Sequence, residues 1–269
     1  MTAGLTLCLS LLAVAALDPP AATTGPLATG SLATGPLATG PLPAEAWVRA
    51  KTAYEENDYR QAIELYRGLL ERQHDGGHLH YNLGNAYLRN GELGRAIASY
   101  LRGRARLPRD EDLRANLEFA RQSAHDAIAP PAPPPLLATL FFWHFALSRA
   151  ELAWLVAALN LLLWSAMGLR LWRPELPGGK GAIALWLVLL LAAGSSLAVR
   201  YLRPARTVVV VPQEIPAHAA PDAESVTRFK LHAGSELRLR GRRDGWLRIA
   251  LPSGEQGWIQ IDWAEIVET

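Results

Sequence analysis

The chain has 269 residues, half of them hydrophobic and 19% charged, with a formal net charge of +2. That apolar content excludes wholesale disorder, and the nearly balanced charge gives no footing for nucleic-acid binding. The single cysteine, Cys8, lies in an N-terminal apolar stretch; once that stretch is removed, disulfides, Cys-bound zinc and a cysteine nucleophile are excluded.

Leu5 to Leu17 is too short to span a bilayer comfortably and ends in Ala13-Val14-Ala15, a small-residue cleavage pattern. Residues 1–16 are therefore expected to be a secretory signal peptide, with Cys8 too early for lipid attachment. "MTAG" lacks the usual basic residue, so an uncleaved anchor is the alternative; either places the adjoining segment outside the cytoplasm. Residues 17–43 form a low-complexity tether in which Leu-Ala-Thr-Gly recurs, a composition that buries no core.

From residue 44 to 126 the pattern becomes helical. A shift of 34 positions superposes Ala50 on Gly84, Asn57 on Gly91, Tyr59 on Leu93, Ala62 on Ala96, Ile63 on Ile97 and Tyr66 on Tyr100. Tyr59, Ile63 and Tyr66, like Leu93, Ile97 and Tyr100, recur at i, i+4, i+7 and make an apolar stripe, while the small residues mark close helix approach. Pro108 ends the second unit. "DEDLRANLEFARQ" then supplies a capping helix with Leu113, Leu117 and Ala120 on one face. The period and pattern resemble tetratricopeptide repeats. That resemblance implies an all-α array whose first helices line a protein-binding groove through Trp47, Lys51, Tyr54, Tyr81, Asn82, Asn85, Arg89 and Asn116. Asn side chains there would pin an extended peptide; the alternative is that Trp47 and Tyr81 simply pack between repeats.

Two polar groupings lie within the repeats. His74, Asp75, His78 and His80 carry ligand-capable atoms, yet a polar loop entering a helix accounts for them, and no metal is assigned. Arg102, Arg104, Arg106 and Arg109 read as a solvated helix face, or as a face for lipid headgroups.

Residues 127–148 are a Pro-rich linker followed by "LLATLFFWHFAL", short enough to suit an interfacial segment with Trp143 and His144 at headgroup depth. Ser148 to Glu151 is a capping box opening the first transmembrane helix, 149–172. Asn160 and Ser165 are the polar residues of Ala153–Leu171 before Arg170, and the second transmembrane helix, 181–202, holds only Ser195 and Ser196 between Ala182 and Val199. No ionisable residue lies deep in either, which argues against a transporter or channel. The basic turn at 173–180 is expected to be cytoplasmic. Arg200, Arg203 and Arg206 nearly balance that signal, so the leader decides the orientation, and the hairpin returns the C-terminus to the side of the repeats.

After Arg206 the period changes to two. Glu236–Arg240 alternates, as do Leu247, Ile249 and Leu251, with turn signals at Asp244-Gly245 and Pro252-Ser253-Gly254. Five or six short strands are expected. Gly234, Gly245-Trp246 and Gly257-Trp258-Ile259 resemble the pattern of bacterial Src-homology-3-like domains, which implies a small all-β barrel over 206–269. Trp246 and Trp258 are expected in or near its core, and Phe229 and Trp263 on its stacking surface.

No nucleophile elbow, phosphate-binding loop or metalloprotease helix occurs; "PGGKG" lacks the spacing and hydroxyl of a phosphate loop. No enzymatic activity and no cofactor are expected. The order of leader, repeats, helical hairpin and strand module, with "RANLEFARQ" and "LSRAELAW", resembles the E-type proteins of the Bat (aerotolerance) family. That resemblance implies an inner-membrane scaffold with periplasmic modules, membrane-bound von Willebrand A-type partners, a MoxR-type ATPase and a role in envelope stress. The alternative is a sensor whose barrel binds peptidoglycan.

Overall fold

The computed structural model describes residues 43–72, 75–126, 128, 135–174, 179–202 and 206–268. The expected leader, the tether up to residue 42, His74, most of the Pro-rich linker and 175–178 of the inter-span turn lie outside the described residues.

Five helices follow one another as antiparallel neighbours: α1 (Pro43–Glu55), α2 (Tyr59–Glu71), α3 (Gly77–Arg89), α4 (Leu93–Arg106) and α5 (Glu111–Gln122). The turns α1–α2 and α3–α4 are built alike. Asn57 and Gly91, equivalent across the 34-residue shift, both have positive φ, 66° and 81°, a conformation that Gly adopts freely and Asn tolerates. Small residues sit where helices meet: Ala50, Ala62 and Ala96 are fully buried, and a Cβ on Gly84 would stand 2.6 Å from the Tyr100 ring. Asp110 caps α5 by accepting from the Leu113 backbone N–H at 2.8 Å, and Leu113, Leu117 and Ala120 are its buried residues, as the amphipathic pattern requires.

The segment before the spans is two short helices, α6 (Pro135–Leu140) and α7 (Phe142–Ala146). Instead of lying free, α7 folds back: Trp143 packs against the hairpin cluster and His144 Nδ1 meets Ser196 Oγ at 2.5 Å. Two helices, α8 (Arg149–Trp172) and α9 (Gly179–Leu202), pack on each other. Both halves of the capping box form, with Glu151 N–H donating to Ser148 Oγ at 3.2 Å and Ser148 N–H to Glu151 Oε2 at 2.8 Å. Both helices are long and apolar enough to cross a membrane, and only 17% and 11% of their most apolar stretches are buried.

The C-terminal region forms seven antiparallel strands: β1 (Arg206–Val210), β2 (Glu214–His218), β3 (Thr227–His232), β4 (Glu236–Arg243), β5 (Trp246–Ala250), β6 (Gln256–Gln260) and β7 (Ala264–Glu268), ordered β3-β2-β6-β5-β4-β1-β7. Asp244 and Gly245, at φ 46° and 80°, make the two-residue hairpin turn whose twist matches its strands. The expected barrel is not closed, because β3 and β7 remain the two edges. The reason is visible at β7, which pairs with β1 and packs against α4.

That packing joins strands and repeats. Val208 and Val210 face the sheet's own apolar cluster, while Val209, with Val267 of β7, belongs to the cluster of the repeats. β1 is thus buried on both faces, which is why it reads as an uninterrupted valine run.

Candidate functional site

Helices α1, α3 and α5 carry the residues expected to line a groove. Trp47 stands edge-on to Tyr66, with ring centroids 5.9 Å apart, and borders a cavity of about 390 Å³ that continues over Leu69 and Asp75 to Leu79. Tyr54 packs edge-on against Tyr59 at 5.5 Å. Lys51 is exposed, 3.6 Å from Glu55 one turn on, a pair worth little in water.

The centre of this face is a hydrogen-bond network. Tyr100 O–H donates to Asn85 Oδ1 at 2.7 Å, and Asn116 Nδ2 donates both to Asn85 Oδ1 at 2.9 Å and to the Tyr81 hydroxyl oxygen at 3.2 Å. Tyr100 is fully buried, and burial together with Tyr81 and Tyr54 pushes its hydroxyl above the ordinary tyrosine value. Asn85 Oδ1 and Asn116 Nδ2, both on side chains expected to hold a peptide, are thus used to cross-link α3, α4 and α5, because a buried phenol needs an acceptor. Tyr81 is held in the same network. Asn82, half-buried, and Arg89, exposed, have no hydrogen bond or ion pair among the described residues.

The arginines of α4 and the loop after it are each engaged by a neighbouring element. Arg102 pairs with Glu265 of β7 at 2.6 Å and reaches the Ile266 carbonyl at 3.3 Å. Arg106 pairs with Asp75, which also accepts from His80 Nε2 at 2.7 Å. Arg109 pairs with Glu151 at the start of α8. Arg104 lies beside Arg121 and Glu236, and burial, then Arg121, pushes it below its ordinary value. This stripe is directed at the sheet, the inter-repeat loop and the start of α8. Asp75 is engaged by Arg106 and His80, His78 is exposed, and His74, the fourth residue of the grouping, lies outside the described residues.

Sequence reasoning missed a second junction. Asp126, just beyond α5, accepts from His232 N–H at 2.7 Å, from His232 Nδ1 at 2.8 Å and from Ser235 Oγ at 2.5 Å. Although burial alone would raise it, these hydrogen bonds hold the Asp126 carboxyl below the ordinary carboxylate range. No local signal announces this junction, because its partners are 106 and 109 residues apart in sequence.

In the sheet, Trp246 and Trp258 are half-buried, as expected. Phe229 and Trp263 differ from expectation: both are half-buried and packed on the sheet's apolar cluster. Phe229 lies opposite Ala217 in the β2–β3 ladder and would touch a Cβ placed on Gly257 at 3.2 Å, so its ring fills the space that this glycine leaves. A separate cavity of about 350 Å³ on the sheet is lined by Arg238, Arg240, Leu251, Pro252 and Gln256 among others.

A tetratricopeptide-repeat family model matches residues 48–111. The chain therefore contains tetratricopeptide repeats, a fold that is generally a non-catalytic scaffold for protein–protein interaction. No curated protein matches the chain.

Proposed function

We propose that this chain is a membrane-anchored, non-enzymatic scaffold that holds a partner protein in its repeat groove. The observation that carries the reading is the division of the repeat surface. One side, along α4, is occupied by β1 and β7, whereas Asn82 and Arg89 on α3 keep their polar groups unpaired among the described residues. Aromatic Trp47 and Tyr54 flank them at the α1 end, and aromatic and arginine side chains dominate protein hot spots. Anchoring follows from the exposed apolar surfaces of α8 and α9, which water would not tolerate and a bilayer would cover.

The finer assignment rests on resemblance. The strand module is read as a variant of the bacterial Src-homology-3-like design, with its closing edge given over to α4. The whole is read as an E-type member of the Bat family, with both modules in the periplasm and with von Willebrand A-type membrane proteins and a MoxR-type ATPase as partners. The test is co-purification from native membranes of wild type and the triple variant Lys51→Ala, Asn82→Ala, Arg89→Ala. Loss of the co-purifying proteins with unchanged melting supports the groove; an unchanged partner set overturns it. Reporter fusions at the C-terminus check the orientation, and a cytoplasmic result removes the periplasmic assignment.

A second reading, peptidoglycan binding, is favoured by the cavity at Arg238 and Arg240, whose guanidiniums suit the carboxylates of wall peptides. Sedimentation of the detergent-solubilised full chain with purified wall, compared with Arg238→Ala/Arg240→Ala, decides it.

A further inference from the structure

Two arginines meet at one end of the apolar helix pair. Arg149 is the first residue of α8, and Arg200 lies in the last turn of α9. Arg200 Nη1 donates to the Leu147 carbonyl at 2.8 Å, two residues before Arg149, and Arg149 stands close enough for its charge to act on Arg200. A guanidinium does not lose its proton in a protein, so the two repel. Neither has an ion-pair partner among the described residues. Glu151, the only acidic residue between Asp126 and Glu175, is occupied: Oε2 takes the Ser148 N–H and Oε1 takes Arg109. Arg149 is half-buried, and its Nη2 is buried without an acceptor among the described residues, as is the Trp143 indole N–H. A cation partly withdrawn from water without a counterion is costly, and an anion between the two guanidiniums removes the cost.

An apolar trough lies beside this pair. Leu137, Phe141 and Phe145 of α6 and α7, with Ala192, Ser196 and Val199 of α9, line a cavity of about 240 Å³. The three α6–α7 side chains remain exposed. His144, bonded to Ser196, lines the same cavity and is within the electrostatic reach of Arg200, so the trough adjoins the arginines. An anion with an apolar tail satisfies both features at once: its phosphate accepts from the two guanidinium forks, and its chain covers the phenylalanines.

We infer that Arg149 and Arg200 hold the phosphate of one anionic phospholipid, whose acyl chain lies in the trough between α6–α7 and α9. Basic pockets beside membrane helices recognise lipid head groups in this way. A zwitterionic lipid fits less well, because its head group brings a further cation to two arginines. The lipid braces α7 against the helix pair, on the side where Arg109 ties the loop after α4 to α8. This occupant requires that α8 and α9 span a bilayer, as proposed above.

The test is native mass spectrometry of the full chain, delipidated in a non-ionic detergent and offered phosphatidylglycerol or phosphatidylcholine with the same acyl chains. The expected result is one phosphatidylglycerol per chain, held about tenfold more tightly than phosphatidylcholine or better. That preference is expected to disappear in Arg149→Ala and in Arg200→Ala and to persist in Arg173→Ala, just past the other end of α8. Glycerophosphoglycerol, the same head group without chains, is expected not to be retained. Equal retention of the two lipids by the wild type, a comparison that needs no variant to fold, overturns the site. So does a preference unaltered in both Arg149→Ala and Arg200→Ala, one reduced equally in Arg173→Ala, or retention of the chain-free head group as tight as that of the lipid. Alkaline extraction of native membranes tests the spans separately: a chain released into the wash overturns the spanning reading, whereas a chain kept in the membrane without a lipid preference overturns the lipid site alone.

Discussion

Arg121, in the last turn of α5, grips Glu236, the first residue of β4, with two nearly parallel hydrogen bonds of 2.6 and 2.9 Å. Their side chains are only 16% and 6% exposed, so water does little to screen them, and Arg104 stands beside both. The two substitutions that break this pair should therefore be unequal. Arg121→Ala leaves Glu236 with Arg104, whereas Glu236→Gln leaves two buried guanidiniums facing each other without a carboxylate. Losing one partner of a buried pair costs about 3–5 kcal/mol. We expect Glu236→Gln to reach that range and Arg121→Ala to fall below it, measured as shifts in denaturant midpoint in detergent. Equal shifts would show that Arg104 takes no part.

The apolar contact between repeats and sheet is tested through glycine. A Cβ on Gly94 of α4 would stand 2.1 Å from the Val210 carbonyl oxygen and 2.8 Å from Val211 Cα. Both are backbone atoms that cannot swing aside. Gly94→Ala is expected to destabilise by about 1–3 kcal/mol or more through overpacking, and to increase protease cleavage between repeats and sheet. Gly68 in α2 is the control, since nothing lies within 4 Å of its added Cβ. Gly68→Ala is expected to stabilise by about 0.5–1 kcal/mol, the ordinary helix-interior gain.

These two contacts mark the border of what the sequence discloses. The repeats, the capping helix, the hairpin and the strands from β4 to β6 each announce themselves through a local period, because their burial patterns are set by neighbours a few residues away. Tyr66 and Tyr100 are buried for that reason, and Asn57 and Gly91 turn the chain alike. Contacts between modules leave no such trace. Arg102, Arg104 and Arg106 read as a solvated stripe because nothing local shows that Glu265, Glu236 and Asp75 come to meet them. Asn85 and Asn116 likewise look free for a ligand until Tyr81 and Tyr100 are seen between them. Only the valine run of β1, too apolar for a strand with one wet face, hints that a second layer covers it.

His80 gives the fold a dependence on pH. It occupies the repeat position that the consensus gives to Trp and is 4% exposed. Its Nε2 meets Asp75 at 2.7 Å, while its Nδ1 is buried without a partner among the described residues. Burial holds the imidazole below its ordinary value of about 6.5, Asp75 opposes this, and Arg106 and Arg102 reinforce it. The unfolded chain therefore takes up a proton at His80 before the folded one does. Stability is unaffected above about pH 6.5 and falls as pH drops from there to the depressed folded value, with a slope of at most about 1.4 kcal/mol per pH unit from this group. We expect His80→Phe to remove that part of the slope, read as the difference between the melting–pH curves of wild type and variant. Parallel curves would mean that His80 takes up its proton at the same pH in the folded and unfolded chain.

The asparagine network separates packing from recognition within one helix face. Asn85→Ala removes the acceptor of the fully buried Tyr100 hydroxyl, and leaving such a group unsatisfied costs about 1–3 kcal/mol. Tyr100→Phe removes the hydroxyl together with its need, so it should cost less, and the Asn85→Ala penalty should shrink in that background. Asn82, one turn earlier and without a hydrogen-bond partner among the described residues, should tolerate Ala within about 0.5 kcal/mol. If the groove holds a partner, the order reverses for binding: Asn82→Ala weakens capture at unchanged stability, whereas any loss from Asn85→Ala tracks its melting temperature. A double-mutant cycle of Asn85→Ala and Tyr100→Phe, run alongside the capture assay, reads both halves. Additive stability effects would place the Tyr100 hydroxyl outside the network.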